Sequence, residues 1–205
     1  MNTLILFRMI SVDKVSPFFL KSSFDIPDFK KKRVYTNIKD HLFYSIFTKA
    51  NSIDITDINS LHYNELNEKT KIAESIEKIK FKNKETIMNN LMYDKQIDLF
   101  TLAVLCMHYK MNLIFIKSQT YLRFENSDTP YLFMNDSYKF MDKTLEDIKE
   151  LLEISLDKPL KSIAYYKLAE LQDMARRLNL PVEKNKKSEL YESIKCILTK
   201  LYKIE

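Results

Sequence analysis

Apolar residues recur along this chain in two rhythms, and the rhythms divide it into elements. In DHLFYSIFTKA, Leu42, Phe43, Ile46 and Phe47 fall on one face of a helix. Ile72, Ile76 and Ile79 form a second helical stripe between about 69 and 81, and a third helix is expected from Lys84 to Tyr93. Ile97 to Tyr109 is apolar almost all round, which predicts a buried helix. The pattern then shortens. Asn112–Lys117 and Thr120–Glu125 read as strands joined by a Ser118-Gln119 turn, and Tyr131–Met134 as a third strand after the turn signal NSDTP. Leu145, Ile148, Leu151, Leu152 and Leu156 predict a further helix, with Thr144 and Asp147 in a capping-box relation and Pro159 beyond its end. Near the C-terminus, Leu168, Leu171, Met174, Ala175 and Leu178 mark one helix, and Leu190, Ile194, Ile197 and Leu198 another. Between them Leu180-Pro181-Val182 is pushed towards extended backbone, and Ser188 is the expected N-cap of the second.

Two early stretches lack a period. Leu4–Ile10 fits either an edge strand or a short helix, and SPFFLKSSFDIPDFKKK (16–32) reads as an irregular arm whose phenylalanines plug a core. The elements together predict an α+β fold: helices around a small antiparallel sheet, followed by a small all-α helix–loop–helix module. DKPLK marks the expected boundary, giving a body over 1–157 and a module over 158–205.

Composition sharpens this picture in three ways. A chain of 205 residues has room for one domain and a small appendage. It contains no glycine, where average usage would give about 14. Turns that need positive φ are therefore expected to use Asn or Asp, and phosphate loops and dinucleotide fingerprints, which need glycine beside phosphate, are excluded. No apolar run approaches the ~20 residues that span a bilayer, and MNTLILFRMISV lacks a basic region and a cleavage site, so neither a membrane span nor a signal peptide is expected. Cys106 and Cys196 both sit in apolar helical patterns, which predicts buried free thiols and an intracellular, reducing compartment.

Charge separates the two parts. Residues 160–205 hold ten cations against six anions, +4 of the chain's +5. A basic module on a neutral body suggests a polyanion partner for the module, against the alternative of a solvated lysine-rich surface. Conventional chemistry is scarce. His41, His62 and His108 have no Cys or His partner at ligand spacing, and Asp94 and Asp98, four apart, fit a charged helix start better than a metal site. Neither a metal site nor a cofactor is expected.

Two resemblances add to this reading. The order of DHLFYSIF and then DLFTLAVLCMHYKMNLIFI is similar to the ovarian-tumour group of papain-like cysteine proteases, over roughly 36–125. That family places a cysteine before the Leu-Phe pair; His41 stands there instead, Ser45 lies a turn further on, and no histidine occurs in or after the meander to act as base. The resemblance implies a papain-like body without the thiolate–imidazole pair, a pseudoenzyme that binds a protein partner.

The module resembles the SAP-type DNA-binding motif, whose outline the Rho N-terminal and LEM folds share. The matching positions are Leu168, Leu171, Leu178, Leu180, Pro181, Lys186, Lys187, Glu189, Leu190 and Ile194, with Asn179 and Asn185 where the family has glycine. Tyrosine-rich, glycine-free chains of this kind also resemble proteins of large double-stranded DNA viruses, which would place it in host cytoplasm, nucleus or virion. The resemblance implies a non-enzymatic protein that tethers double-stranded DNA. Lys184, Lys186, Lys187 and Ser188 at the second helix start, Arg176 and Arg177 at the end of the first, and Lys167 at its beginning are the expected phosphate contacts. The alternative is a structural or assembly protein, viral or otherwise, whose tail docks on protein.

Overall fold

The computed structural model describes residues 40–53, 65–79, 81–182 and 186–202. The expected N-terminal arm, the Leu4–Ile10 element, His62, Lys184 and Asn185 lie outside these residues. Six α-helices and five strands are described: α1 (His41–Ala50), α2 (Glu65–Glu77), α3 (Lys84–Tyr93), α4 (Leu99–His108), β1 (Leu113–Lys117), β2 (Thr120–Phe124), β3 (Leu132–Asn135), β4 (Phe140–Met141), β5 (Leu152–Ile154), α5 (Leu168–Arg177) and α6 (Lys187–Tyr202). The fold is α+β, as the two rhythms predict.

α4 is the central helix. Thr101 through Cys106 are all buried, so every side of the helix meets protein, as its apolar composition requires. Asp98 caps it by accepting from Thr101 N–H at 2.7 Å, and Asn90 Oδ1 on α3 accepts from both Asp98 N–H (2.8 Å) and the Thr101 hydroxyl (2.6 Å). Asp94, in turn, accepts from Asn90 Nδ2 at 2.6 Å. Asp98 therefore acts as the helix-start reading expects, whereas Asp94 stands at the C-cap of α3, and Asn90 ties α3 to α4.

The sheet is mixed rather than antiparallel, in the order β4-β3-β1-β2-β5. β1 and β2 form the expected hairpin, with Ser118 at φ 54° in the turn. The expected third strand does not continue the meander: β3 returns beside β1 and runs parallel to it. Asn112 explains the return. Its buried side chain accepts from Asn126 N–H (2.7 Å) and Ser127 N–H (3.1 Å) and donates to the carbonyls of Ser127 (2.8 Å) and Thr129 (2.6 Å). The loop after β2 thus folds around the residue that precedes β1, and Leu132 N–H then bonds to Asn112 O at 2.9 Å.

The helix expected over 145–156 is also corrected. Its cap forms, Thr144 N–H and Oγ1 both donating to Asp147 Oδ2 (2.7 and 2.9 Å). The helix itself is one 3-10 turn, Glu146–Ile148, and the chain then extends into β5 parallel to β2. β2 would otherwise expose a row of unpaired backbone groups, and Leu152 N–H to Gln119 O at 2.9 Å begins their pairing. Ile148 and Leu151 keep their burial by packing on the far face of the sheet with Ile114, Tyr121 and Phe133.

The missing glycines leave a clear mark. α1, α4 and α5 end in the same Schellman turn, whose left-handed residue is Ser52 (φ 51°), Lys110 (φ 53°) and Asn179 (φ 57°) respectively. In each, the next N–H reaches back five residues: Ile53 to Thr48 O (3.0 Å), Met111 to Cys106 O (2.8 Å) and Leu180 to Ala175 O (2.8 Å). The expectation that Asn or Asp fills such sites holds at Asn83 and Asn179 but not at Ser52, Lys110, Ser118 or Tyr138. At Ser52 and Lys110 the backbone bonds of the Schellman turn hold the conformation, whatever the side chain.

Candidate nucleic-acid interface

The two C-terminal helices start alike. Lys167 precedes α5 and Lys186 precedes α6, each opening a Lys-x-x-Glu-Leu segment, KLAEL and KKSEL. Lys167 N–H donates to Glu170 Oε2 at 2.6 Å, and Lys186 N–H to Glu189 Oε2 at 3.1 Å. The glutamate supplies one arm of a capping box, and the leucine that follows, Leu171 or Leu190, is fully buried. Ser188, the expected cap, lies inside the first turn of α6 and is exposed. The glutamate therefore occupies the capping role, and the start shifts two residues earlier.

The basic residues sit in different settings. Arg176 and Lys186 are exposed, Lys187 is half-buried, and none of the three pairs with an acidic group among the described residues. Arg176 belongs to the last turn of α5 and Lys187 to the first of α6. Arg177 is engaged differently. Its Nε meets Asp173 at 2.9 Å, and Nη1 donates to the carbonyls of Lys149 (2.9 Å) and Leu151 (3.3 Å) just before β5. Lys167 is exposed at the opposite end of α5, nine residues from Arg176 and about 14 Å along the axis. The fold thus separates Lys167 from the loop end of the helix and ties Arg177 to the body.

That tie is one of several. Leu171, Ala175, Leu190, Ile194 and Leu198 belong to the same buried cluster as α1, α4 and the sheet. Tyr191 OH donates to Lys161 O at 2.9 Å, and Tyr202 OH lies 2.5 Å from Thr120 Oγ1 on β2. Burial raises the Tyr202 pKa, so its hydroxyl stays protonated and able to donate. The helix pair is thus packed against the body at β2 and the approach to β5, a placement that no periodicity could reveal.

Among the described residues of the body, the chemistry-bearing side chains do not gather into one centre. His41 is exposed at the first position of α1, and Ser45 is half-buried a turn later. His108 Nδ1 lies 3.4 Å from Ser75 Oγ, and burial lowers its pKa below the ordinary histidine value. Cys106 is buried, its thiol pushed up to about 12 by the loss of water, whereas Cys196 is exposed, against the expectation that both are buried. No hydrogen bond joins a histidine to a cysteine among the described residues, and no group of three metal-ligating side chains occurs among them.

Sequence reasoning overlooked Asp40, the residue before His41. It is wholly buried, accepts from Phe43 N–H (2.9 Å) as the cap of α1, and accepts from Ile97 N–H (2.8 Å). Lys69 of α2 reaches it at 2.8 Å and stands 5.1 Å over the Phe43 ring. The polar residue ahead of an apolar helix signalled a cap; the lysine 29 positions later carried no signal of its partner.

Comparison with known protein families, with curated proteins and with solved structures finds no match for this chain. Among the described residues, no helix is long and apolar enough to cross a membrane.

Proposed function

We propose that this is a non-enzymatic protein that tethers double-stranded DNA through the loop end of its C-terminal helix pair. The supporting observation is that Arg176, Lys186 and Lys187 flank one loop, without acidic partners among the described residues, on helices packed against a larger body. Lys184 lies within that loop in sequence. Side-chain cations of this kind meet phosphates without reading bases, so binding is weak, salt-sensitive and poor in sequence preference. Arg177 and Lys167 contribute less, the first because its guanidinium already holds two carbonyls, the second because of its distance along α5. Glu189 keeps one acceptor at the start of α6, so the reading rests on lysine side chains rather than on an open helix terminus.

With four phosphate contacts, from Lys184, Lys186, Lys187 and Arg176, log K falls against log salt with a slope of about −3.6. The test is a salt-titrated duplex-binding measurement on the full chain, because the helix pair shares its core with the body. Changing Lys184, Lys186 and Lys187 to Glu is expected to abolish binding near physiological salt. Binding unchanged by the triple substitution, or absent from the unaltered chain at low salt, removes the DNA reading and leaves a tail that docks on protein.

A further inference from the structure

The outer side of α5 carries a feature that DNA binding does not use. Tyr165 is 63% exposed and Leu168 44%, although both precede or open a well-packed helix. The rings of Tyr165 and Tyr166 stand at 84° with centroids 5.4 Å apart, forming two walls of a corner. With Ala169, Glu170, Asp173 and Met174 they line an open groove of ≈ 460 Å³.

The chemistry of the lining is specific. Aromatic faces carry negative quadrupole charge and attract ammonium and guanidinium groups, the more so when carboxylates stand beside them. The Tyr165 face already holds such a group: Lys161 Nζ lies 3.7 Å from its centroid. Glu170 spends Oε2 on Lys167 N–H, and Asp173 spends Oδ2 on Arg177. Each keeps a second oxygen without a hydrogen bond among the described residues. Tyr166 is fixed as a wall because its hydroxyl accepts from Lys161 N–H at 3.0 Å. Met174 adds a soft apolar floor suited to the methylenes of a long side chain.

We propose that this corner is a docking site for a lysine or arginine side chain presented by a protein partner. The cation lies against the exposed Tyr165 ring, its stem on Met174 and Ala169, with Glu170 and Asp173 supplying charge. Lys161 is the chain's own competitor for the same ring. An apolar side chain would gain the floor and contact with the rings but neither the cation–π attraction nor the carboxylates, and a phosphate would meet two acids. Glu170 and Asp173 oppose a polyanion on this face of α5, and the site is independent of the DNA reading.

The test is a nuclear magnetic resonance titration of the full, ¹⁵N-labelled chain with a short Gly/Ser peptide bearing one central lysine. A twin peptide with norleucine in its place has the same stem and no charge. Saturable shifts of the Tyr165, Tyr166, Ala169 and Glu170 amides are expected with lysine and not with norleucine. Tyr165→Leu, at an exposed position and with its fold checked by circular dichroism, is expected to weaken Kd about fivefold. Lys161→Met is expected to tighten it by removing the competitor. Equal binding of the two peptides, no shift at these amides, or an unchanged Kd in Tyr165→Leu would overturn the proposal.

Discussion

The starts of α1 and α6 solve one problem in opposite surroundings. Each helix leaves backbone N–H groups without intrahelical partners, and each start finds a carboxylate to satisfy one of them. At α1 the carboxylate belongs to the cap itself, Asp40, which is sealed from water and bonded to α2 through Lys69 and to the approach of α4 through Ile97 N–H. At α6 it belongs to Glu189, three residues along, is exposed, and among the described residues bonds within its own turn. The buried version is a tertiary junction of three segments. The exposed version is local, and it leaves Lys186 and Lys187 in a position to meet a ligand.

The largest effect that could break this comparison is at Asp40. Asp40→Ala leaves Lys69 charged and buried beside Phe43, with Glu65 Oε1 at 3.5 Å as its remaining carboxylate, and is expected to cost about 3 kcal/mol in urea unfolding. A loss below about 1 kcal/mol would mean that Glu65 or water compensates Lys69 without it, and that the junction is no more than a cap. An intermediate effect separates body from tail at the helix ends. Lys110→Gly is expected to stabilise by about 1 kcal/mol, because a lysine in the left-handed region crowds its own backbone. Asn179→Gly, at the same place in the same turn, is expected to gain less, since asparagine tolerates that region. Equal gains at the two sites, read as midpoint shifts, would remove the distinction. The smallest effect is at Glu189: Glu189→Ala is expected to cost about 0.5–1 kcal/mol, while raising duplex affinity by removing a negative charge beside Lys186. A cost approaching that of Asp40→Ala would show that the α6 start is a tertiary junction too.

The stripe of α1 and the all-round apolar run of α4 were readable because each buries a fixed face or a whole circumference, and burial imposes the 3.6-residue period directly; the stripe of α2 was readable too, although that helix runs over Glu65–Glu77 and stops short of Ile79. The Leu171 and Leu190 positions were readable for the same reason. Between 145 and 156 the reading failed because apolar spacing there serves a 3-10 turn and then a strand, so two short elements share one apparent period. The order of strands failed because Asn112 redirects the chain by hydrogen bonds to residues 14 to 17 positions away, which no local window contains. The candidate interface was legible as charge, but its sorting was not: Arg176 and Arg177 are neighbours in sequence, and only Arg177 meets the carbonyls before β5.

By itself the sequence determined the α+β class, the places of α1, α3 and α4, the hairpin of β1 and β2, and the basic C-terminal helix pair. These follow from local periods, caps and charge, each complete within a few turns of chain. The tertiary structure alone decided the mixed sheet, the burial of Asp40 against Lys69, and the docking of the helix pair against β2 and the approach to β5. Each of these joins groups whose sequence neighbours carry no trace of the partner, because desolvation and close packing act on distances in space.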